Sequence, residues 1–404
     1  MIRLLRRTAA GATLVFAAPA AAQSANCNQP ARDAITHVAV DGSPFTPVVS
    51  PDGCWIYVTV TNVGQNAVPR IAVMRRDGGK VSVVRSIPIK GNPTGAALTH
   101  DAKMLVVAAG PSIAFLDVAR MQSGQGNAVL GYIDTGKQAG FIYASVTPDD
   151  QFAFVAIERG AAIAVVDLAK IRAGKIDTNS IVGLIPTGNA PVAVEFSADG
   201  KYIYSTAQAA LPAWGWPVAC RPEGQPNAAM NHANGAIVVA EVAKAITDPE
   251  HSVVARVAAG CNPVRLVTSP SGDRVYVTAR GDNVLLVFDA AKLLSDTAHA
   301  RIATVPVGKA PVGVTVIDGG KRIVVTNSNR FGGAGANDKQ SLNVIDATKV
   351  ESGAAAVVGS IPAGAFPREL RVTADGKTLL ATNFNSKTLE IVDLARLTLG
   401  PVQR

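Results

Sequence analysis

The sequence predicts an all-β fold, a seven-bladed β-propeller with four strands in each blade, and two observations lead to this prediction. The first is a repeated unit: Gly-x-x-Pro, a short apolar strand, a Ser/Thr-x-Asp-Gly turn or a remnant of it, a second strand, a polar loop and a third strand ending in Asp. The second is the period of 48 to 50 residues, which is near the spacing of propeller blades. The turn recurs at Asp52, Asp101, Asp149, Asp199, Ser271, Gly319 and Asp375.

Each repeat supplies its strands in order, from the channel outward. In the fifth repeat we expect strands at 263–269, 273–279, 283–289 and 300–305, because apolar residues alternate there or run continuously as in sheets packed on both faces. The last repeat ends after Asp393 without a fourth strand, whereas residues 35–40 form a strand without a blade. Pairing of these two segments closes the ring and removes its unpaired edges.

Short strings in the second strands indicate a family as well as a fold. The strings are Tyr57-Val58-Thr59 and Tyr276-Val277-Thr278, with the variants Val325-Thr326-Asn327 and Ala381-Thr382-Asn383. Through these strings, the sequence resembles the YVTN-repeat β-propeller family over residues 34–397. The resemblance implies the propeller fold. Similar propellers include lactonases, the haem domain of dissimilatory nitrite reductases and subunits of quinoprotein dehydrogenases, so the fold alone does not select an activity.

The N-terminus predicts export. Residues 1–22 have the features of a secretory signal peptide, with three arginines, an apolar stretch and a final Ala-Ala-Ala. That stretch is about half of the ~20 residues that a membrane-spanning helix requires, so we expect no membrane insertion. The remaining residues, 23–404, are interpreted as one propeller domain, a periplasmic or secreted monomer. Its net charge falls from +8 to +5 on cleavage, which does not favour nucleic acid as a partner.

Strand direction sorts the loops by face. The Gly-x-x-Pro loops and the loops after the second strands share one face, here called the top face. Two intervals between turns are longer than the rest, at 72 and 56 residues, and we assign their insertions to second-to-third-strand loops at about 207–234 and 328–340. Both insertions therefore fall on the top face, which becomes the candidate functional face.

Four cysteines in an exported chain predict two disulfides. Cys220 lies in the first insertion and Cys261 in the adjacent top loop that enters the fifth blade, so these two are expected to pair. Cys27 precedes the closing strand at its bottom end and Cys54 lies at the bottom turn of the first blade, which predicts the second pair.

A recurring acid with a basic residue three positions later is assigned to the scaffold. Asp caps a tight turn, and an i to i+3 charge pair supports one helical turn. The six pairs are Asp117 and Arg120, Asp167 and Lys170, Glu241 and Lys244, Asp289 and Lys292, Asp346 and Lys349, and Asp393 and Arg396.

Candidate catalytic and metal-binding residues are few. Of the five histidines only His232 belongs to the top face, so no multi-histidine metal centre is expected and no cofactor is predicted. Oxygen ligands there would suit Ca²⁺, which is the alternative cofactor. If the protein is an enzyme, Glu158 and Asp282 are the candidates for base or metal ligand. Ion pairs of Glu158 with Arg159 and of Asp282 with Arg280 are the structural interpretation that we prefer.

The remaining candidates are for binding. Basic residues at the channel mouth would attract carboxylate or phosphate groups, and the two tryptophans of the first insertion would serve either as interface anchors or as packing against the propeller rim. The predicted ligand- or partner-binding residues are Arg265, Arg280, Arg368, Lys137, Lys309, Trp214, Trp216, His232, Asn327 and Asn383.

These features favour a binding or scaffold module that takes a partner protein or an anionic small molecule on its top face. One alternative is a lactonase-like hydrolase in which Glu158 or Asp282 is the base or metal ligand and Arg280 or Arg368 stabilises the developing oxyanion. A second alternative, which rests on the resemblance, is an accessory subunit of a periplasmic redox enzyme.

Overall fold

The predicted seven-bladed propeller is the fold of the protein. The structure is a computed structural model that describes residues 27, 29, 33–61, 68–135 and 139–402. The predicted signal peptide, 1–22, lies outside the described residues. Seven antiparallel sheets follow one another along the chain, and each is ordered from the innermost to the outermost strand.

The strands of the first four blades, with the inner strand of the fourth divided in two, are as follows: β2 Ser43–Val49, β3 Trp55–Thr61, β4 Arg70–Asp77 and β5 Lys80–Pro88; β6 Ala96–Leu98, β7 Met104–Ala109, β8 Ser112–Asp117 and β9 Val129–Asp134; β10 Phe141–Val146, β11 Phe152–Ile157, β12 Ala162–Asp167 and β13 Ile181–Pro186; β14 Asn189–Pro191 with β15 Glu195–Phe196, β16 Tyr202–Ala209, β19 Ala236–Glu241 and β20 Val253–Ala258.

The strands of the last three blades are as follows: β21 Pro263–Thr268, β22 Arg274–Ala279, β23 Val284–Asp289 and β24 Arg301–Pro306; β25 Pro311–Ile317, β26 Arg322–Asn327, β27 Ser341–Asp346 and β28 Val357–Pro362; β29 Pro367–Val372, β30 Thr378–Asn383, β31 Thr388–Asp393 and β1 Ile35–Ala39. The fifth blade agrees with the predicted strands to within about two residues at each end. The N-terminal strand β1 pairs antiparallel with β31, so the predicted closure of the ring is confirmed.

Short helices fill the turns after third strands, and the second insertion contains one 3₁₀ segment. The α-helices are α1 Val118–Ser123, α2 Leu168–Arg172, α3 Val242–Thr247 and α4 Lys292–Ser295, and the 3₁₀ segments are Thr178–Ser180, Pro212–Trp214, Pro249–His251, Thr297–His299, Asp318–Gly320, Gly333–Asn337 and Ala347–Ala356. Asp117, Asp167 and Asp346 cap such segments by accepting backbone N–H bonds, as the scaffold interpretation predicted. Glu241 occupies the same place before α3 without a side-chain capping bond.

The threonine of the Tyr-Val-Thr strings joins neighbouring blades. The buried Thr278 hydroxyl donates to the carbonyl oxygen of Val312 in the next blade at 2.7 Å, and it accepts the backbone N–H of Arg265 at 3.1 Å. Thr206 donates to Val264 in the same way, at 2.8 Å. Equivalent bonds to the following inner strand are made by Thr59, Thr326 and Thr382. The repeated threonine thus fixes the inner strands around the channel.

Both insertions are second-to-third-strand loops, as predicted. The first lies between β16 and β19 and contains a small hairpin, β17 Val218–Cys220 and β18 His232–Ala233. The second lies between β26 and β27. No helix of the described ranges is long and apolar enough to cross a membrane.

Candidate functional site

The two insertions enclose a cleft of about 500 Å³ on the top face. We call it the top cleft. Residues 219–226 of the first insertion form one wall, loops of the fifth blade form the floor, and residues 329–332 of the second insertion form the other wall. Its charged lining residues are Arg221, Glu223, Arg280, Asp282 and Lys309. The predicted residues Arg280, Asp282 and Lys309 therefore come together in one cleft.

A disulfide fixes the first insertion to the fifth blade. Cys220 is bonded to Cys261, with a Cα to Cα distance of 5.5 Å, and Cys27 is bonded to Cys54 at 5.2 Å. Both pairings are those that strand direction predicted. The Asp282 carboxylate accepts the backbone N–H of Cys261 at 2.7 Å, so this acid helps to position the bridge.

Arg280 is buried and ion-paired. Its guanidinium makes a two-point ion pair with the Glu223 carboxylate, including a contact of 2.6 Å, and donates to the Gln208 side chain at 2.8 Å. The predicted ion pair of Arg280 with Asp282 is wrong, because Glu223 takes that place. Glu223 comes from the insertion, 57 residues away in sequence, and the disulfide at Cys220 brings it into range.

Arg265 lies below the mouth of the channel, inside the propeller. It forms an ion pair of 2.5 Å with Glu369, and both residues are almost fully buried, at 3% and 2% exposure. Its guanidinium also donates to the Val192 carbonyl at 2.8 Å and lies 4.5 Å from the centroid of the Tyr143 ring. Because these groups surround it, Arg265 is a structural charge and does not face a ligand at the mouth.

Arg368 has a different environment, although it follows the proline of its blade as Val264 does. Its guanidinium carbon lies 3.7 Å from the centroid of the Phe45 ring, 5.5 Å from Phe366 and 5.6 Å from Phe384. Its Nε is buried without a hydrogen-bond partner. Within the described part of the chain, no carboxylate forms an ion pair with this guanidinium.

The electrostatics of Arg368 are correspondingly unfavourable. Burial lowers its pKa well below the usual value, and the like charge of Arg265 acts in the same direction. Arg330 and Arg280 add smaller effects of the same sign, and the Glu369 carboxylate is the charge that opposes them. Because a guanidinium stays protonated in proteins, the lowered pKa means that the Arg368 cation is destabilised by its surroundings.

Arg330 is a mouth residue that the sequence analysis missed. Its guanidinium carbon lies 5.1 Å from the centroid of Phe331 and 5.6 Å from that of Phe366, which it shares with Arg368. Burial and the charge of Arg280 lower its pKa. The adjacent Arg330 and Phe331 in the second insertion are the sequence feature that could have indicated this residue. We call the group made by Arg330, Arg368, Phe45, Phe366 and Phe384 the channel mouth.

The two tryptophans pack on the propeller rim. Trp214 and Trp216 lie edge to face at 5.3 Å and pack against the buried Ala207, Ala236 and Val238 of the fourth blade. Arg256 of the outermost strand lies 5.1 Å from the centroid of Trp214. Of the two roles predicted for these residues, the structure shows the packing role.

Three further binding candidates have structural contacts. His232 lies within hydrogen-bond distance of two carbonyl oxygens, those of Ala233 and Arg221. Asn327 and Asn383 are almost fully buried between the second and third strands of their blades. Asn327 donates to Asn343 at 2.9 Å, and Asn383 donates to Glu390 at 2.9 Å. The two asparagines are therefore out of reach of a ligand at the mouth, and Lys137 lies outside the described residues.

The catalytic candidates do not share a partner. Glu158 is within 3.5 Å of the Gln208 amide, whereas Asp282 is engaged by the Cys261 N–H. No cluster of three or more His, Cys, Asp or Glu that could hold a metal ion occurs among the residues that the structure covers.

The lower channel contains a second charged group. Arg371 donates to the Tyr143 hydroxyl at 2.6 Å. Burial raises the pKa of Glu195 to about 7, and the charge of Arg371 opposes that rise. Burial also raises the pKa of Tyr143. These residues lie on the inner strands below the Arg265 ion pair.

Comparisons with known proteins establish the fold. No protein-family model matches this sequence, and no curated protein matches it. Among solved structures, hydrazine synthase of Kuenenia stuttgartiensis is similar at 18% identity and a TM-score of 0.63, over 89% of this chain and 97% of that one. The periplasmic gluconolactonase PpgL of Pseudomonas aeruginosa matches at 18% identity and 0.61, over 86% and 88%.

A third similar structure is the Cps50 (Swd1) β-propeller domain of Myceliophteria thermophila, at 11% identity and a TM-score of 0.60, over 88% of this chain and 97% of that one. The three proteins share an architecture with this chain, and identities this low show the fold alone. The resemblance to seven-bladed propellers is therefore confirmed for the fold.

Proposed function

We propose that this protein is a binding module that takes a small anionic ligand at the channel mouth of its top face. One observation carries the proposal. Arg368 is a partly buried cation whose Nε has no hydrogen-bond partner, and no carboxylate of the described residues forms an ion pair with it. Buried charges are normally paired, because leaving water without a counter-charge is costly. A ligand carboxylate or phosphate at the terminal nitrogens of Arg368 would supply the missing counter-charge.

The charges around Arg368 favour an anionic ligand over a cationic one. Arg330 shares the Phe366 ring with it and also lacks a carboxylate partner among the described residues. Arg280 adds positive charge, although Glu223 neutralises most of it. Two arginines that converge on one site can bind a carboxylate or phosphate through several N–H donors.

An extracytoplasmic location fits this role. Two disulfides with short Cα to Cα distances are typical of proteins that fold outside the reducing cytoplasm. The sequence independently predicts a signal peptide at 1–22, and one protein of similar fold is described as periplasmic. We infer that the protein meets its ligand in the periplasm or outside the cell.

The lactonase-like alternative is weaker on local grounds. Glu158 and Asp282 both have structural neighbours, an amide and a backbone N–H respectively. Arg280, one of the two arginines predicted to stabilise an oxyanion, is ion-paired with Glu223, and Lys309 is a basic residue that lines the same cleft as Asp282. The similarity in fold to a gluconolactonase is therefore an argument for including lactones in the test.

Isothermal titration calorimetry of the disulfide-bonded protein tests the proposal. The panel contains acetate, benzoate, gluconate, inorganic phosphate and glucono-lactone, at low salt because screening weakens exposed charges. We expect at least one anion to bind, with affinity reduced at least about tenfold in Arg368→Met and in Arg330→Met. Arg256→Met is the matched control, because Arg256 lies on the outer rim and should leave binding unchanged.

Three results would contradict the proposal. They are the absence of binding by every anion, equal binding by all three arginine variants, and turnover of the lactone that survives both mouth substitutions and is lost in Glu158→Gln. The last result would establish the hydrolase instead.

A further inference from the structure

The upper end of the channel has an apolar floor. Val192, between the two inner strands of the fourth blade, forms one cluster with Val264 and Val312 of the next two inner strands and with Phe366 of the seventh blade. Ile142 and Phe384 pack against this cluster and are only partly buried. Val192, Val264, Val312 and Phe366 are themselves buried, so Ile142 and Phe384 are the members of this group that keep exposed hydrocarbon.

The aromatic contacts of Arg368 leave its donors free. A guanidinium carbon 3.7 Å from a ring centroid is close enough for the planar group to stack on the Phe45 ring. The N–H donors of a guanidinium lie in its plane, so stacking does not occupy them. Arg368 is thus held by hydrocarbon on its face and keeps its edge for an acceptor.

One aromatic residue extends the apolar surface above the mouth. Phe331 lies between the mouth and the top cleft, where it is 5.1 Å from Arg330, and it is 41% exposed. Its ring packs close to Gly224 of the first insertion. A Cβ atom added to Gly224 would lie 3.0 Å from the Phe331 ring. Glycine at that position allows the two insertions to approach each other beside the mouth.

We infer that the ligand of the channel mouth is an amphipathic carboxylate, a single anionic group joined to a planar or branched apolar body. This inference rests on the proposed function and specifies its ligand. The carboxylate lies against the N–H edges of Arg368 and Arg330. The apolar body covers Ile142 and Phe384 of the floor and contacts the exposed ring of Phe331.

The same surface disfavours polyhydroxylated acids. A sugar acid has the required carboxylate, but each of its hydroxyl groups loses hydrogen bonds to water when it is placed on hydrocarbon. Aromatic rings gain from contact with Phe331 and Phe384 in addition to the burial of apolar area. Selectivity for an apolar body over a polyol is therefore the expected signature of this site.

A matched ligand series tests the inference by calorimetry on the wild-type protein. The probes are 2-naphthoate, cyclohexanecarboxylate, gluconate and acetate, with 2-naphthalenemethanol as the uncharged analogue. We expect 2-naphthoate to bind at least about tenfold more tightly than gluconate and than the uncharged alcohol. Phe331→Ala should reduce that preference at least about threefold, whereas Val218→Ala, a change at another exposed apolar residue on the insertion hairpin, should not.

The outcomes separate the two proposals. Gluconate or acetate binding as tightly as 2-naphthoate, with Arg368→Met still abolishing it, overturns the ligand class and leaves the anion site intact. Binding of the uncharged alcohol as tightly as 2-naphthoate overturns the role of the arginines. No binding by any carboxylate overturns both. Phe331 and Arg330 are exposed, so their variants are expected to fold and the comparison does not depend on Arg368→Met alone.

Discussion

Arginines lie both in the interior of the channel and at its upper mouth, but their surroundings differ. In the interior, Arg265 is paired with Glu369 at 2.5 Å, and Arg371 donates to Tyr143 at 2.6 Å. At the mouth, Arg330 and Arg368 contact aromatic rings and have no carboxylate partner among the residues described. Within the described ranges, the two interior arginines have oxygen acceptors supplied by the chain, and the two at the mouth have aromatic contacts.

The difference separates structural charges from functional ones. The buried Arg265 is neutralised by the carboxylate of Glu369, and a ligand anion would have to compete with that partner. A partly buried arginine without an acceptor raises the free energy of the unliganded protein, and an anion that binds there removes that cost. Residue type and position around the axis alone would have ranked Arg265 and Arg368 equally.

Removal of the interior partner should have the largest effect. Glu369→Ala leaves Arg265 buried and unpaired, and breaking a buried pair in this way costs about 3–5 kcal/mol of unfolding free energy. Urea denaturation measures the change. The surface pair of Lys201 and Asp199, at 3.3 Å, provides the control, since Lys201→Ala should cost less than about 1 kcal/mol. Equal losses in the two variants would mean that the interior pair is not special.

The second prediction uses pH to examine the lower channel. Burial raises the pKa of Glu195 from 4.5 to about 7, so between these values the folded protein keeps a proton that the unfolded chain has lost. The stability contributed by this carboxyl is complete below pH 4.5 and disappears as the pH rises to about 7. At about 1.4 kcal/mol per pKa unit the loss approaches ~3 kcal/mol.

Glu195→Gln imitates the protonated acid. The variant and the wild type should therefore unfold with similar free energies near pH 4.5, and the variant should become the more stable protein above about pH 7. Denaturation curves at four pH values measure the difference. The exposed Glu250→Gln is the control. A constant difference between variant and wild type across the range would contradict a raised pKa.

The third prediction concerns the scaffold that carries both regions. Thr278→Val removes a hydroxyl that joins the fifth and sixth blades and leaves the Val312 carbonyl and the Arg265 N–H without that partner. We expect a loss of about 1–3 kcal/mol in unfolding free energy, measured by thermal or urea denaturation. Thr304→Val, an exposed change on the outermost strand of the fifth blade, should have almost no effect. A neutral Thr278→Val would contradict the role of the repeated threonine.

The smallest expected effect would convert a paired arginine into an unpaired one. Glu223→Gln removes the charge that neutralises Arg280 while keeping a hydrogen-bonding side chain. Benzoate affinity should rise about fivefold, which corresponds to about 1 kcal/mol of added attraction at the mouth. The gain should diminish at high salt. Unchanged or weaker binding would show that the anion does not sense Arg280.

Much of the fold could be predicted from the sequence because propeller contacts repeat with the chain. The period, the four strands of each blade, the closure by residues 35–39 and both disulfides follow from local patterns and strand direction. The candidate face was predicted for the same reason, and the top cleft lies there between the two insertions.

The candidate site could be predicted only in part. Arg280 and Lys309 were predicted at the channel mouth and Asp282 as the ion-pair partner of Arg280, and all three line the top cleft. The pairing of Arg280 with Glu223 and the packing of Trp214 and Trp216 on the rim depend on the path of a loop that contains no repeat. Arg330 was missed because its neighbour Phe366 belongs to a different blade.

The sequence by itself determined the architecture, since a repeated pattern of apolar strands and tight turns has one way to bury its surfaces, a closed ring of stacked sheets. Only the tertiary structure decided which arginines are satisfied. Glu369 is next to Arg368 in the sequence, yet its carboxylate pairs with Arg265, which is 104 residues away. Adjacent residues of a strand point to opposite sides, so the ring places that carboxylate beside another blade and leaves Arg368 among aromatic side chains.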